Sequence, residues 1–443
     1  MKVRTMPDQR PGSVSLSDAA HRLQIWAFPV IFAQRVRLRF TSPLAPHIHR
    51  PSTSAGAPLN TMGHQRQLSD PTLTAGVAPN VDTLYSLAFL DLDAGEFELR
   101  LPDFGARYYS VQVGEADSST TAVLGQRTSG PRLKPFRIRR AGDNQTTATS
   151  NEVIECQSRF VMVAVRILVD PSQPDDMADV VDLQDKIELL GPPSPPADIT
   201  QDLRLLVNRD RDAETTEPTA FLDSLGHAIG ALAIADVPLW VFEFRDLLQR
   251  AMAGPAVSGR REAIARGLTS GLTEIAAQVK RIGRSINGWA ISHVGTEFGN
   301  DHLSRAAVAY SQIYINPAVE ALYPICEVDS THAQLNGAFA YTLTFPAGDR
   351  PPAAYFWSLT VYHARGLLYD NEINRYAITD RTPFLATAPD GSLPIYIQTE
   401  APSVDHTPNW LPCPSGEFRL MLRLYGPIEP SWGPPAVIRT VAD

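Results

Sequence analysis

The chain has 443 residues, a length that suits about two to four domains, with two the simplest organisation. Its 44% hydrophobic and 20% charged residues exclude a disordered or collagen-like polypeptide. The net charge of -9 argues against nucleic acid and anionic membranes as general partners, because their phosphates repel it. The 37 prolines and 28 glycines favour many short strands and turns over long helices.

Residues 1–60 predict an irregular N-terminal extension that contains one helix, over Leu16–Ile31. The basic N-terminus is not followed by the apolar run of a signal peptide. No apolar stretch approaches the ~18 residues that span a bilayer. We therefore expect a cytoplasmic protein without a membrane segment.

Residues 61–175 predict an immunoglobulin-like antiparallel sandwich, because short alternating segments are separated by turn sequences rich in Gly, Pro and Asp. The last of these segments is almost continuously apolar, which is typical of a central buried strand. The predicted strands are Leu84–Leu92, Glu96–Leu101, Tyr108–Gly114, Phe136–Arg139 and Phe160–Val169.

Residues 176–325 predict a helical linker region, which a proline-rich segment at 191–196 interrupts. Ile, Leu and Val recur at spacings of three and four residues after position 260 and indicate the clearest helix. The predicted helices are Val180–Leu190, two helices within 218–250 broken near Pro238, Gly259–Asn287 and Ser304–Tyr314.

Strand patterns return in residues 326–443, where they predict a second antiparallel sandwich of jelly-roll type. The predicted fold class is therefore mainly β with a helical middle segment. The predicted strands of this half are Phe339–Phe345, Ala354–Tyr362, Leu393–Gln398 and Phe418–Tyr425.

Metal ligands and cofactor motifs are sparse. His47 and His49 point to one side of an extended segment, but no carboxylate follows within about ten residues to complete a metal site. Cys156, Cys326 and Cys413 are far apart, which favours small buried side chains over disulfides or zinc ligands. The motifs of dinucleotide, P-loop, α/β-hydrolase and zincin enzymes are absent. We expect no metal and no cofactor.

Three segments concentrate polar and aromatic side chains, and in the third these groups exceed what a turn needs. The first is Pro79–Ser86 at a strand entrance, although Asn80, Asp82 and Thr83 are also residues that cap turns. The second is Arg107–Gln112. The third begins at Asp370–Tyr376 and continues through Asp380–Pro383 to Asn409–Pro412.

These segments resemble the two-domain family whose halves are catalogued as domains of unknown function 1254 and 1214. Pro79–Ser86 matches Pro-Asn-x-Asp-Thr-x-Tyr-Ser of the first domain, and Arg107–Val111 and Gly125–Gly130 match its Arg-Tyr-Tyr-x-Val strand and the motif after it. The second domain's motifs match Phe356–Tyr362, Asn374–Tyr376, Asp390–Leu393, Asn409–Pro412, Arg423–Pro427 and Trp432–Pro435.

The resemblance implies an immunoglobulin-like sandwich, a helical middle and a jelly-roll sandwich, but no settled activity. His363 stands where family members often have Asp. Many members begin with a secretion signal, and this sequence shows no such signal. Both differences favour a cytoplasmic branch with altered pocket chemistry.

The first hypothesis is a cofactor-independent enzyme of lyase, hydrolase or cyclase type that acts by acid/base chemistry on a small organic metabolite. Its pocket would lie at or near the contact between the sandwiches. Asp82 would be the general acid or base, His363 the second proton carrier, and Arg375 the group that stabilises negative charge. The candidate substrate-binding residues are Asn80, Tyr85, Tyr108, Asn371, Asn374, Tyr376 and Trp410.

The alternative is a non-catalytic module that binds a small molecule or saccharide, since exposed Trp, Tyr and Asn suit sugar faces and hydroxyls. A third reading gives the motif residues a structural role as turn locks. The distance between Asp82 and His363 and the surroundings of the Asp82 carboxylate separate these readings. A small-molecule substrate is the expected partner, and a homo-oligomer is left open.

Overall fold

The structure is a computed structural model that describes residues 14–42, 44, 49–73, 78–142, 153–195, 216–254, 257–429 and 431–440. His47 of the predicted histidine pair lies outside these residues. In the described part, four β-sheets and seven α-helices form a mainly β protein with helices in its middle. The predicted fold class is confirmed at this level.

Helix α1 (Leu16–Thr41) begins where predicted, because the Ser15 side chain accepts a hydrogen bond from the Asp18 amide at its N-terminus. It runs ten residues beyond the predicted end at Ile31 and passes through Pro29. Tertiary packing explains the difference, since Val36 and Phe40 in the added turns pack on the sheet of the first sandwich.

The first sandwich consists of two sheets around one apolar core. Its strand order is β1-β2-β8-β4-β5 in the larger sheet and β7-β6-β3-β9 in the smaller. The elements are β1 (Gly63–His64), β2 (Thr83–Asp91), β3 (Phe97–Arg100), β4 (Tyr109–Gly114), β5 (Thr120–Gly125), α2 (Gln126–Ser129), β6 (Phe136–Arg140), β7 (Val153–Cys156), β8 (Phe160–Leu168), α3 (Asp176–Gln184) and β9 (Glu188–Leu190).

The helix predicted over Val180–Leu190 is wrong in its second half. Helix α3 ends at Gln184, and β9 then pairs with β3. The new strand satisfies its backbone hydrogen bonds by pairing with the open edge of the smaller sheet. Local sequence does not indicate this pairing, because the partner strand is distant in the chain. This pairing adds α3 and β9 to the first sandwich.

Four further helices pack with α1 to form the helical region: α4 (Pro218–Ile229), α5 (Leu239–Ala253), α6 (Val257–Val279) and α7 (His302–Gln312). The break near Pro238 is confirmed. Helices α1 and α6 approach closely through two glycines of α6. A Cβ at Gly267 would lie 2.1 Å from the Ser17 carbonyl oxygen, and one at Gly271 would lie 2.8 Å from the His21 carbonyl oxygen.

The predicted helix over Gly259–Asn287 ends eight residues early, at Val279. A hairpin follows, formed by β10 (Arg284–Ile286) and β11 (Trp289–Ile291). Its turn is Asn287-Gly288, with φ of 52° and 85°, and Asn-Gly at such a turn favours a two-residue hairpin over a helix end.

The second sandwich encloses the largest apolar core between a seven-stranded and a four-stranded sheet. The larger sheet has the order β10-β11-β13-β19-β15-β16 with β12 paired to β19, and the smaller has β18-β17-β14-β20. The remaining strands are β12 (Ala321–Leu322), β13 (Ile325–Cys326), β14 (Ala340–Phe345), β15 (Ala353–His363), β16 (Ala377–Thr379), β17 (Leu393–Gln398), β18 (Trp410–Pro412), β19 (Phe418–Pro427) and β20 (Ile438–Thr440).

Within the described ranges, no helix combines the length and the apolar character needed to cross a bilayer.

Candidate functional site

The larger sheets of the two sandwiches pack against each other through their outer faces. On β15, Trp357, Leu359 and Val361 belong to the apolar core. The alternating residues Ser358 and Thr360 point the other way, toward the first sandwich, and both are fully buried. A strand that is buried on both faces therefore carries polar residues on one of them.

The first sandwich presents a matching polar row. Arg166 on β8 lies directly opposite Tyr85 on β2 and Ser110 on β4, so the three side chains share the outer face. Their neighbours in sequence, such as Val165 and Ile167, fill the core on the inner face. Alternation thus brings a buried arginine to the contact between the sandwiches.

The Asp82 carboxylate is buried at this contact and accepts hydrogen bonds from the second sandwich. Its Oδ2 accepts a hydrogen bond from the Ser358 hydroxyl at 2.5 Å, and its Oδ1 accepts one from Arg381 Nη2 at 3.1 Å. The side chain is 1% exposed. Asp380 also binds Arg381, through Nη1 at 2.6 Å. Asp82 therefore joins the two sandwiches and does not face open solvent.

The residues before Asp82 are held by the second sandwich as well. Asn80 Nδ2 donates to the Tyr425 hydroxyl at 2.8 Å, while Asn80 Oδ1 accepts from the backbone amides of Asp82 and Thr83. The Tyr362 hydroxyl donates to the Pro79 carbonyl oxygen at 2.6 Å. This part of the first motif is consequently both a turn and an interdomain lock.

A second ionic contact lies nearby. The Tyr108 hydroxyl donates to Glu320 Oε1 at 2.7 Å, and Arg127 Nε donates to Glu320 Oε2 at 2.6 Å. Burial first, and then the Glu320 charge, raises the pKa of Tyr108 well above its ordinary value. Tyr108 is thus a neutral donor that ties β4 to the second sandwich.

We call the group formed by Arg166, Arg423, Tyr85, Tyr323 and Tyr425 the arginine–tyrosine cluster. The Arg166 guanidinium carbon lies 5.0 Å from the centre of the Tyr85 ring. Both arginines are buried, at 7% and 3% exposure. Tyr85 and Tyr323 nevertheless retain partial accessibility between these buried neighbours.

The tyrosines of the cluster differ in acidity. Burial acts to raise the pKa of Tyr85, but the Arg166 charge and then Arg423 lower it, and the net pKa lies below its ordinary value. Burial raises the pKa of Tyr323 and of Tyr425 above the ordinary value despite the same guanidinium groups. Tyr85 is therefore the phenol of the cluster that ionises first.

Several polar atoms at this contact lack a hydrogen-bond partner among the described residues. They belong to side chains that are at most 8% exposed, and leaving such an atom unbonded costs about 1–3 kcal/mol. They are Thr83 Oγ1, Ser110 Oγ, Arg166 Nη1 and Asn316 Oδ1. A bound molecule or water at this contact could supply the missing hydrogen bonds.

A small cleft adjoins the cluster. Its enclosed part is about 10 Å³, room for about one water molecule. Tyr323 and Asn316 form part of its wall, and Asn316 Nδ2 donates to the Tyr323 hydroxyl at 2.9 Å. Tyr323 belongs to both, so the cleft meets the cluster at this side chain. The complete lining is Ser292, Val294, Gln312, Ile315, Asn316, Ala318, Ala321 and Tyr323.

His363 and Asp82 are not brought together. Asp82 binds Ser358, and His363 lies five residues further along β15, which corresponds to about 17 Å of strand. The odd spacing also places His363 on the opposite face of the sheet. Burial first, and then Arg365 and Arg419, lower the pKa of His363. The structure thus separates the two proposed proton carriers.

Arg375 binds backbone rather than a carboxylate. Its Nη1 donates to the carbonyl oxygens of Thr407, Pro408 and Trp410 at 2.8–3.2 Å. Burial lowers the pKa of Arg375 below its ordinary value. The guanidinium therefore holds the loop before β18 in place.

The other predicted binding residues of the third segment also make local contacts. Asn371 bonds both the amide and the carbonyl of Arg375, and the Tyr376 hydroxyl donates to Asn374 Oδ1 at 3.1 Å. Trp410 Nε1 donates to the Gln398 carbonyl oxygen at 2.9 Å. Of the ten predicted site residues, Asn80, Asp82, Tyr85 and Tyr108 lie at the contact described above, and Tyr376 packs at its edge beside Ala78 and Val81.

Arg375→Ala should lower the free energy of unfolding by about 2–3 kcal/mol, because three carbonyl groups lose a charged donor. The control is Arg365→Ala, since Arg365 is exposed, and we expect that change to stay within about 0.5 kcal/mol. Urea denaturation of both variants measures the difference. Equal stabilities would contradict a structural role for Arg375.

Sequence reasoning assigned no site role to Arg166, Arg381, Arg423 and Tyr323, although Arg381 and Arg423 lie in motifs described above. One indication was available for Arg166, which is the only charged residue in the apolar run of β8. A charge in the centre of such a strand is rarely tolerated without a function or a partner. Among the described residues, no group of three or more His, Cys, Asp or Glu side chains is placed to hold a metal ion.

Comparison with known proteins places the chain in a family. The model of protein of unknown function DUF1254 matches residues 59–190, and that of DUF1214 matches residues 320–429. The chain belongs to this two-domain family. The described interdomain contacts therefore join the two matched regions to each other: Asp82 lies in the DUF1254 match, and Ser358 and Arg381 lie in the DUF1214 match.

The likeness to one solved structure supports the fold alone. The VPA0106 protein from Vibrio parahaemolyticus is 21% identical, with a TM-score of 0.63 over 96% of this chain and 100% of its own. An uncharacterised protein from Burkholderia cenocepacia is 11% identical, with a TM-score of 0.46 over 96% of this chain and 95% of its own. No curated protein matches the chain.

Proposed function

We propose that this DUF1254–DUF1214 protein binds a small organic molecule between its two sandwiches, at the arginine–tyrosine cluster. The observation that carries the proposal is the set of buried polar atoms without partners, above all Arg166 Nη1. A ligand that bonds them recovers the free energy that their burial costs. A cytoplasmic location and a metabolite as partner form part of the same proposal.

Entry from the adjoining cleft fits this proposal. The cleft is too small for a metabolite in the closed state, so binding requires the Tyr323 side chain to turn away. The aromatic walls of Tyr85, Tyr323 and Tyr425 suit a planar molecule. The net charge of -9 continues to argue against nucleic acid.

Acid/base catalysis is the second candidate function. It is favoured by Tyr85, a phenol of lowered pKa that lies beside a guanidinium group and retains accessible surface. In that case Tyr85, rather than Asp82 or His363, exchanges the proton with the bound molecule. Asp82 keeps the two sandwiches in register.

A thermal-shift assay tests the binding function. The probes are acetate, propionate and benzoate, with the amide of each as the uncharged counterpart. At least one probe should raise the Tm of the wild-type protein by about 1 °C or more, because a ligand bound only by the folded state stabilises it. Ser292→Trp fills the cleft mouth and should abolish the shift.

His293→Trp is the matched control, since His293 is the exposed neighbour and does not line the cleft. This variant should retain the wild-type shift. A panel without any shift, or equal shifts in wild type and Ser292→Trp, would count against the proposed site.

A further inference from the structure

Buried positive charge exceeds buried negative charge at the contact between the sandwiches. Three nearby arginines are paired with carboxylates: Arg381 with Asp82, Arg127 with Glu320, and Arg107 with Asp176. Arg166 and Arg423 form no ion pair with the described residues. A buried ion without a counter-charge is destabilising, so an anion bound beside these two arginines would stabilise the cluster.

The two unpaired arginines differ in what they still offer. Arg423 donates to Thr360 Oγ1 and the Tyr362 hydroxyl at 2.8 and 2.6 Å, and to the Ala78 carbonyl oxygen at 2.9 Å. Both of its terminal nitrogens are therefore already bonded to protein groups. Arg166 Nη2 donates to Gln112 Oε1 at 2.8 Å, and the guanidinium also interacts with the Tyr85 hydroxyl, but its Nη1 makes no hydrogen bond of normal geometry with the described residues. An incoming anion therefore binds at Arg166 Nη1.

Tyr85 is the internal group that can replace this missing anion. It is the direct cross-strand neighbour of Arg166. The charged and titratable groups that face it are Arg166 from β8, Arg423 and Tyr425 from β19, and Tyr323 from the loop after β12, and Asn80 faces it from the segment before β2. No carboxylate stands among these groups, so a Tyr85 phenolate gains charge partners and meets no acidic neighbour.

Resting on the function proposed above, we infer that the bound molecule is an organic carboxylate held by Arg166, and that its binding is coupled to proton uptake by Tyr85. A carboxylate and a Tyr85 phenolate would compete for the same guanidinium. When the carboxylate arrives, the phenolate oxygen takes a proton from solvent and becomes a neutral hydroxyl. At alkaline pH the net charge of the cluster is therefore the same before and after binding, because the carboxylate brings one negative charge and Tyr85 loses one.

The coupling has a defined sign. Below the pKa of Tyr85 the phenol is already protonated, so affinity does not depend on pH. Above this pKa each binding event takes up one proton, and the Kd rises by up to about tenfold per pH unit. A carboxylate that does not interact with Tyr85 gives a Kd that is constant across the same range.

The test uses the full chain and benzoate as the probe. Calorimetric titration between pH 7 and pH 10 should give a wild-type Kd that increases at alkaline pH, and a pH-independent Kd for Tyr85→Phe. Tyr341→Phe is the control, because Tyr341 lies in the core of the second sandwich, outside the cluster, and burial raises its pKa. This control should keep the wild-type pH dependence.

A second measurement needs no variant. Tyrosinate absorbance near 295 nm, followed in a pH titration of the wild-type protein, should shift to higher pH when benzoate is present. Benzamide, which carries no charge, should bind weakly and leave the absorbance titration unchanged.

The outcomes separate the two levels of the account. The inference is overturned, and the binding site stands, if benzamide binds as tightly as benzoate. The same conclusion follows if the wild-type Kd does not change with pH and the tyrosinate titration does not shift when benzoate is added. Failure of every probe to bind would remove the site and the inference together.

Discussion

Replacing Asp82 by asparagine should lower the free energy of unfolding by about 3 kcal/mol, because it removes one partner of a buried ion pair. Its carboxylate is 1% exposed and binds both Ser358 and Arg381 across the contact of the two sandwiches. The variant keeps the shape of the side chain and loses only its charge. Urea denaturation followed by tryptophan fluorescence measures the effect.

Asp380→Asn is the matched control for Asp82. Asp380 binds the same guanidinium group, through Arg381 Nη1, but its side chain is 33% exposed. Pairs that water reaches contribute less, so we expect a loss below about 1 kcal/mol. Equal losses in the two variants would show that Asp82 does not lock the sandwiches together.

Arg166→Met and Arg305→Met should differ in their effect on stability, although the two arginines are similarly buried, at 7% and 8% exposure. Arg305 binds Asp117 at 2.6 Å, and its loss leaves a largely buried carboxylate, which we expect to cost about 3 kcal/mol. Replacing Arg166 leaves no carboxylate of the described residues without an ion-pair partner. Its replacement by methionine should change the free energy of unfolding by less than about 1 kcal/mol.

This comparison separates a binding arginine from a structural one. Sites that are built for ligands carry uncompensated charge and are rarely optimised for stability. A loss of about 3 kcal/mol for Arg166→Met would instead mean that Arg166 is held by protein partners and supports the fold.

Much of the fold could be predicted from local sequence. Strand β17 spans the predicted Leu393–Gln398, because turn residues mark both of its ends. Where prediction was wrong, long-range packing or a turn decided the outcome. The sheet extends α1 beyond Ile31, pairing with β3 creates β9, and the Asn287-Gly288 turn replaces the end of a helix by a hairpin.

The candidate site was predictable only in part. The motif around Asn80, Asp82 and Tyr85 was recognised, and the structure places these residues at the contact of the sandwiches. The roles within it depend on partners far away in sequence. Asp82 and Ser358 are 276 residues apart, and no local pattern indicates that this carboxylate faces a hydroxyl rather than a cavity.

The same reason explains Arg375 and His363. An arginine suits anion binding and a histidine suits proton transfer. The carbonyl groups that surround Arg375 could not be predicted, because they belong to a loop more than 30 residues further along the chain. Face alternation along β15, in contrast, is a local property, and it places His363 opposite to Ser358 once the strand boundaries are known.

A crystal structure of the full chain with 4-bromobenzoate tests the central claim most directly, because the anomalous signal of bromine locates the ligand without ambiguity. The account predicts a carboxylate within hydrogen-bond distance of Arg166 Nη1, with the ring between Tyr85 and a displaced Tyr323. Arg166 Nη1 bonded to protein atoms alone, with bromine absent from the contact between the sandwiches, would contradict it.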